Sequence, residues 1–278
     1  MTAQLTFAEY KASQGVNWSS LKRLRESPLK YRYGAEALDV DTTYRAMGRA
    51  VHALVFEPQL WEQDFAIYEG GDRRGKEWQS FKEANEGKTI FKPNEISDIL
   101  GMSNAVLSNE LVAPYLEGGV FEQSVQWTDP KTSIKCKGRL DWNNKSMGAL
   151  LDLKTSTTIN QFRFGRIAAR LGYHVQLGGM YYDALQHGLG WEPQEVAFIV
   201  VESSAPYEVA FFYMDPDDLF CAQEEKDELL ARLKIHQEAD IWPGAYPAKQ
   251  RLLLPEYVFG DGDEEDPTGL GIVFNSGV

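Results

Sequence analysis

The stretch GRLDWNNKSMGALLDLKTS, residues 138–156, sets Asp141 and Asp152 on either side of a polar break and places Lys154 two residues after the second carboxylate. Just upstream, residues 134–142 alternate. Ile134, Cys136, Gly138 and Leu140 take one side, and Lys135, Lys137, Arg139 and Asp141 take the other. A period of two predicts a half-buried strand. Residues 149–154, Ala-Leu-Leu-Asp-Leu-Lys, read as a second strand, and Asn143, Asn144, Lys145, Ser146 and Gly148 between them are turn formers. The pair is expected to be a β-hairpin in which Asp141 and Asp152, nearly symmetric about the turn, face each other. Asp152 and Lys154, at i and i+2, share that face. Opposed residues of antiparallel strands bring their Cβ atoms to roughly 4.5–5.5 Å. Two carboxylates so close repel, and a divalent cation between them would give the arrangement a reason, since hard oxygen donors suit magnesium or manganese. Asp-Leu-Lys alone is a common tripeptide, and on an exposed strand it is usually a solvated face or a weak ion pair. The rest of the chain has to decide between these readings.

Working outward, GVFEQSVQWT (119–128) predicts a strand leading into the hairpin, with Glu122 near its start. Helices are expected at about 158–170 and 173–187, strands at 196–203 and 207–215, and an acidic helix at about 216–239. On the N-terminal side, Asn17-Trp-Ser-Ser starts a helix that Ser27-Pro28 interrupts. A helix over about 43–57 is capped by Asp41 or Thr42 and stops before Pro58; its small residues Ala46, Gly48, Ala50 and Ala53 permit close packing, and His52 sits among them. A lone histidine on such a helix is more often a packed side chain than a ligand. Residues 69–78, EGGDRRGKEW, form a polar loop with Arg73, Arg74 and Lys76, either a surface loop or a phosphate-contacting flap. Helices follow at about 77–85 and 94–109. The order is helices, three strands, two helices, two strands, helix, which predicts an α/β or α+β fold with a central mixed sheet and an N-terminal helical elaboration.

The 278 residues, 43% of them hydrophobic and 12% aromatic, suffice for a large packed core. We expect one domain over 1–254, with a helical part at about 16–115, a core at about 119–215 and the acidic helix. Residues 255–278 form an acidic tail expected to be loosely attached. No apolar run approaches the roughly 20 residues of a membrane span. No basic start followed by an apolar core marks a secretory signal, so the cytoplasm is the natural assignment. Two cysteines, Cys136 and Cys221, are too few for a disulfide framework. The net charge of −13 argues at face value against nucleic acid, but residues 215–240 hold nine acids against three bases, and residues 255–278 hold six acids and no base. The acidity is therefore concentrated late, and charge neither demonstrates nor excludes a DNA ligand.

The ordered set G-R-x-V-H (48–52), Glu122, G-R-L-D (138–141), L-D-L-K-T (151–155) and Y-H-V-Q (173–176) resembles the PD-(D/E)xK nuclease superfamily in its RecB-like branch. It is most similar there to RecE-type exonucleases of phage and prophage recombination. The resemblance covers roughly residues 16–240. Leu140 stands where the name motif has proline, and Asp152 where Glu is commoner. The RecB-like pattern often sets a tyrosine four residues after the helix glutamine. Here Met180 holds that place and Tyr181 comes one later, so Tyr181 can serve only if the helix is locally adjusted. The resemblance implies a restriction-endonuclease-like core. It implies Mg²⁺ (or Mn²⁺) held by Asp141, Asp152, the Leu153 carbonyl and His52, with Glu122 completing the site or holding a second ion. Lys154 would orient the attacking water, and Gln176 would bond near the scissile phosphate or steady Lys154. Arg73, Arg74, Lys76, Arg163, Arg166 and Tyr181 become DNA contacts.

The implied activity is a double-stranded-DNA exonuclease resecting 5′ to 3′, with a single-strand annealing protein as partner and a ring-like homo-oligomer as a route to processivity. A structure-specific or restriction-like endonuclease would carry the same residues. A catalytically silent DNA-binding scaffold on the same fold is the other alternative: opposed carboxylates argue against it, and the net charge of −13 keeps it open. A fused helicase motor is not supported, since no GxxxxGK[ST] loop is present, and two cysteines cannot build a four-cysteine iron–sulfur cluster.

Overall fold

The computed structural model describes residues 5, 7–34 and 42–254. The expected acidic tail and Asp41 lie outside the described residues. Two short strands, β1 (Phe65–Ile67) and β2 (Thr89–Phe91), pair in parallel beside the main sheet; three residues each is too short for periodicity to reveal. The main sheet holds β3 (Val120–Thr128), β4 (Lys135–Asn144), β5 (Ala149–Ser156), β6 (Glu195–Glu202) and β7 (Val209–Tyr213), in that spatial order. Neighbours are antiparallel except β5 and β6, which run parallel and are joined by the helical crossover of residues 161–189. The sheet is thus mixed, as expected. No described helix is long and apolar enough to cross a membrane.

Alternation along β6 sorts the core onto two faces. Val196, Phe198 and Val200 pack with Trp18, Phe164, Val175, Leu177 and Leu230, whereas Ala197, Ile199 and Val201 pack with Val51, Ile99 and Val106. One face is therefore covered by the N-terminal entry, the crossover and the long helix Pro216–Ala239, the other by the helices Thr43–Phe56 and Pro93–Leu107. Thr42 caps Thr43–Phe56 by accepting from the Arg45 N–H.

The strands at the heart of the hairpin do not stay regular. Pairing of β3 with β4 runs through Phe121↔Trp142 and Gln123↔Leu140 but leaves out Glu122 and Asp141 between them. Glu122 has φ +46°, the left-handed region. On either side of this point the strands change face: Leu140, Val125 and Trp127 belong to one core, Trp142 and Phe121 to the other. The β4–β5 ladder has the expected register but ends at Trp142↔Leu151, one step before Asp141 would meet Asp152. From there β4 leaves β5, and its freed edge is taken by the N-terminal segment, where Val16 pairs with Cys136. A cleft opens between two strands of one sheet.

Candidate metal centre and active site

The cleft begins where three carboxylates from three adjacent strands stand in one row: Glu122 on β3, Asp141 on β4 and Asp152 on β5. Asp141 replaces the missing ladder bond, its Oδ2 accepting from the Leu153 N–H at 3.0 Å. The sequence expectation of facing carboxylates is right in register. The strands part at that level rather than pairing there, which makes room between the acids.

His52 enters from the helix Thr43–Phe56. Gly48, one turn earlier on the same stripe, lets that helix lie against β5, since a Cβ there would stand 3.3 Å from Thr155 Oγ1. His52 Nε2 lies 2.7 Å from the Leu153 carbonyl. A carbonyl only accepts, so Nε2 carries the proton and Nδ1 is left for the acids. Nδ1 stands 3.4 Å from Asp141 Oδ2 and 3.7 Å from Glu122 Oε1. Ligand atoms of His52, Glu122 and Asp141 all lie within 4.8 Å of one another.

Electrostatics follows from crowding. Burial and then Asp152 push the Asp141 carboxyl up to about 7. Burial works against a charged His52, but Asp141 and Glu122 outweigh it and hold the imidazole at about 9. Burial would raise Glu122, yet His52 and Arg139 together bring it below the usual carboxylate range. Asp152 is fully buried, and apart from an ion pair with Lys154 neither of its carboxylate oxygens has a hydrogen-bond partner. Desolvated acids with unused oxygens beside an imidazole are the donor set a hard divalent cation fits.

Lys154 shares its face with Asp152, as the spacing predicted, and its Nζ also stands 4.8 Å from the centre of the Tyr173 ring. Burial opposes its charge, but Asp152 and Asp141 prevail and raise its pKa. In this state Lys154 is an ammonium, not a base.

Gln176 and Tyr181 sit on the second half of the crossover. Val175–Tyr181 is a π-helix, in which residues five apart rather than four share a face. The local adjustment that Tyr181 required is therefore present. Gln176 Nε2 donates to Tyr181 Oη at 2.8 Å, so the glutamine and the tyrosine are tied to each other. The Tyr181 ring lies over Gly138, where a Cβ would stand 3.2 Å from the ring, which accounts for the glycine of G-R-L-D.

The expected DNA contacts separate. Arg74, Lys76, Arg163 and Arg166 are exposed. Arg73 is committed within the molecule: it donates to the Ile90 carbonyl at 3.0 Å, pairs with Glu95 at 2.7 Å and lies over Trp78. It fastens the loop while staying exposed. Two residues escaped sequence reasoning. Arg139 donates from Nε to Glu122 Oε2 at 2.7 Å and from Nη2 to Glu57 Oε2 at 3.2 Å. Arg139 lay inside the quoted motif and Glu57 just after the histidine helix, but only the tertiary structure brings them together.

Residues 17–247 match the family model described as "PDDEXK-like domain of unknown function (DUF3799)". No curated protein matches the chain. Among solved structures, a candidate exonuclease from Eubacterium rectale is similar with a TM-score of 0.63 at 14% identity, over 97% of this chain and 99% of that one. A phage-related exonuclease from Haemophilus somnus 129PT aligns over 83% of this chain and 98% of that one, with a TM-score of 0.35 at 12% identity. The five-stranded mixed sheet flanked by helices is the restriction-endonuclease-like architecture of PDDEXK domains.

Proposed function

This chain belongs to the family of PDDEXK-like domains, and from that premise we propose that it is a divalent-metal-dependent deoxyribonuclease acting on double-stranded DNA ends, 5′ to 3′. The observation that carries the reading is the carboxylate row Glu122–Asp141–Asp152 at the point where both ladders are interrupted, with His52 and Lys154 turned onto it. Simple binding needs no such concentration of buried acid. His52, Glu122 and Asp141 would hold the cation, with Asp152 and the second lone pair of the Leu153 carbonyl beside them. Magnesium or manganese bound there would polarise the phosphate as a Lewis acid.

The remaining work falls to the side chains. The Lys154 ammonium orients the attacking water and offsets charge developing on the phosphate oxygens. Its raised pKa favours this electrostatic role over that of a general base. Gln176 and Tyr181, bonded to each other, line the same cleft over Gly138. Exposed Arg74, Lys76, Arg163 and Arg166 supply contacts to the phosphate backbone. In this reading the 3′ single strand left behind passes to an annealing protein, and a ring-like homo-oligomer keeps the enzyme on its track.

The test is digestion of end-labelled linear duplex in Mg²⁺, beside a covalently closed circle and beside Lys154→Ala. Loss of the linear form only, 5′ label first, slowed by about 10²-fold or more in the variant, is the expected result. Cutting of the circle would make the protein an endonuclease. No cleavage in Mg²⁺ or Mn²⁺ would leave a silent DNA-binding scaffold.

A further inference from the structure

Each end of the carboxylate row meets a fixed cation. At one end Lys154 pairs with Asp152. At the other, Arg139 takes Glu122 Oε2 at 2.7 Å and bridges it to Glu57 Oε2 at 3.2 Å, while Nη1 donates to Ser124 Oγ at 3.2 Å. Glu122 therefore offers the centre a single oxygen, Oε1, the one facing His52 Nδ1. Its left-handed backbone, φ +46°, is a conformation an L residue holds only when its surroundings fix it, and a guanidinium that holds Glu122 through Nε while its other nitrogens are held by Glu57 and Ser124 supplies such a constraint.

We propose that Arg139 is a positioning residue standing where a second metal ion would otherwise bind, so that the DNA-free protein takes one divalent cation and Glu122 serves it through one oxygen. The inference rests on the metal-dependent reading of the same site. Charge supports it independently of geometry. Glu57, Glu122, Asp141 and Asp152 bring four negative charges, Arg139 and Lys154 return two positive ones, and His52 must be neutral to ligate. One divalent cation neutralises what remains. A second would leave the buried cluster with two uncompensated positive charges, which a desolvated site does not tolerate. Without Arg139, Glu57 and the outer oxygen of Glu122 would form an open oxygen-donor pair.

The experiment counts Mn²⁺ bound per chain by titration calorimetry and by the electron paramagnetic resonance signal of free ion, on the full chain without DNA. The wild type is expected to bind one. Arg139→Gln, which removes the charge but keeps a polar side chain, is expected to gain a second, weaker ion, whereas Arg139→Lys, which keeps the charge, is expected to remain at one. Two ions on the wild type would overturn the inference while leaving the metal-dependent reading intact, and this measurement needs no variant to fold. A folded Arg139→Gln that still binds one would overturn it equally. No Mn²⁺ on any form would remove the metal-dependent reading itself and this inference with it.

Discussion

Asp141 and His52 each carry a proton that a cation must displace. With the Asp141 carboxyl pushed up to about 7 and the His52 imidazole held at about 9, both are protonated at mildly acidic pH, and both must lose the proton to ligate. Mn²⁺ affinity should therefore rise as pH climbs from 6 through about 9. Calorimetry near pH 7, in buffers of different ionisation enthalpy, should show protons released on binding. Affinity flat across that range would mean that these two groups are not ligands. At this scale much was legible beforehand. The spacing of Asp141, Asp152 and Lys154 in the hairpin already suggested a cation between the acids, whereas His52 and Glu122 joined them only through the resemblance of the ordered motifs. Arg139 and Glu57 did not declare themselves, because a guanidinium linking acids from two other elements is a tertiary fact with no local pattern. The bonds of Arg73 to Ile90 and Glu95 were equally hidden: an arginine in a polar glycine-rich loop looks the same in sequence whether or not it is tied to its own fold.

Between elements, the site depends on how closely the helix Thr43–Phe56 approaches β5. The contact at Gly48 sets that distance, and His52 reaches the Leu153 carbonyl from the next turn. Gly48→Ala exchanges a tight contact of 3.3 Å for about 1 kcal/mol of helix propensity, and stability should hardly change. Gly48→Leu cannot be accommodated by a small shift. It should cost about 1–3 kcal/mol by overpacking and weaken Mn²⁺ binding by about tenfold or more as His52 is lifted away. Urea unfolding and metal titration of the two variants check this; a Leu variant with wild-type affinity would show that helix approach does not control the histidine. The longer helices and the main-sheet strands follow their apolar periods and caps, so their places could be read within a few residues, whereas the short helices Phe7–Ala12, Trp61–Asp64 and Ala113–Leu116 were not anticipated. The opening of β4 from β5 could not, since alternation continues in the sequence through Asp141 while the pairing stops. The π-helix was legible only as an anomaly, a tyrosine one place too late.

On the scale of the whole molecule, the acidic helix Pro216–Ala239 is attached to the crossover of residues 161–189 by a buried polar network. Lys226, 3% exposed, pairs with Asp183, 1% exposed, donates to Gln223 Oε1 at 2.7 Å and also pairs with Asp227 Oδ1 at 3.0 Å. Gln223 Nε2 in turn donates to the Gly178 carbonyl at 2.7 Å, inside the π-helical turn that carries Gln176 and Tyr181. A π-turn loosens regular backbone pairing, and a side chain from the neighbouring helix satisfies one of its carbonyls. Burial raises Asp183 and Lys226 counters it, so the acid depends on its partner. Lys226→Met should leave that acid buried without compensation and cost about 3–5 kcal/mol, whereas Lys226→Met with Asp183→Leu should recover most of the loss, because two apolar chains of similar volume need no partner. The comparison is made by urea denaturation, with the far-ultraviolet spectrum of each variant taken first. If the double variant falls as far as the single, the network acts through packing rather than charge. If the single variant is neutral, the helix is held by its apolar face alone, through Leu229, Leu230 and Leu233, and the support it gives to the glutamine–tyrosine pair has another source.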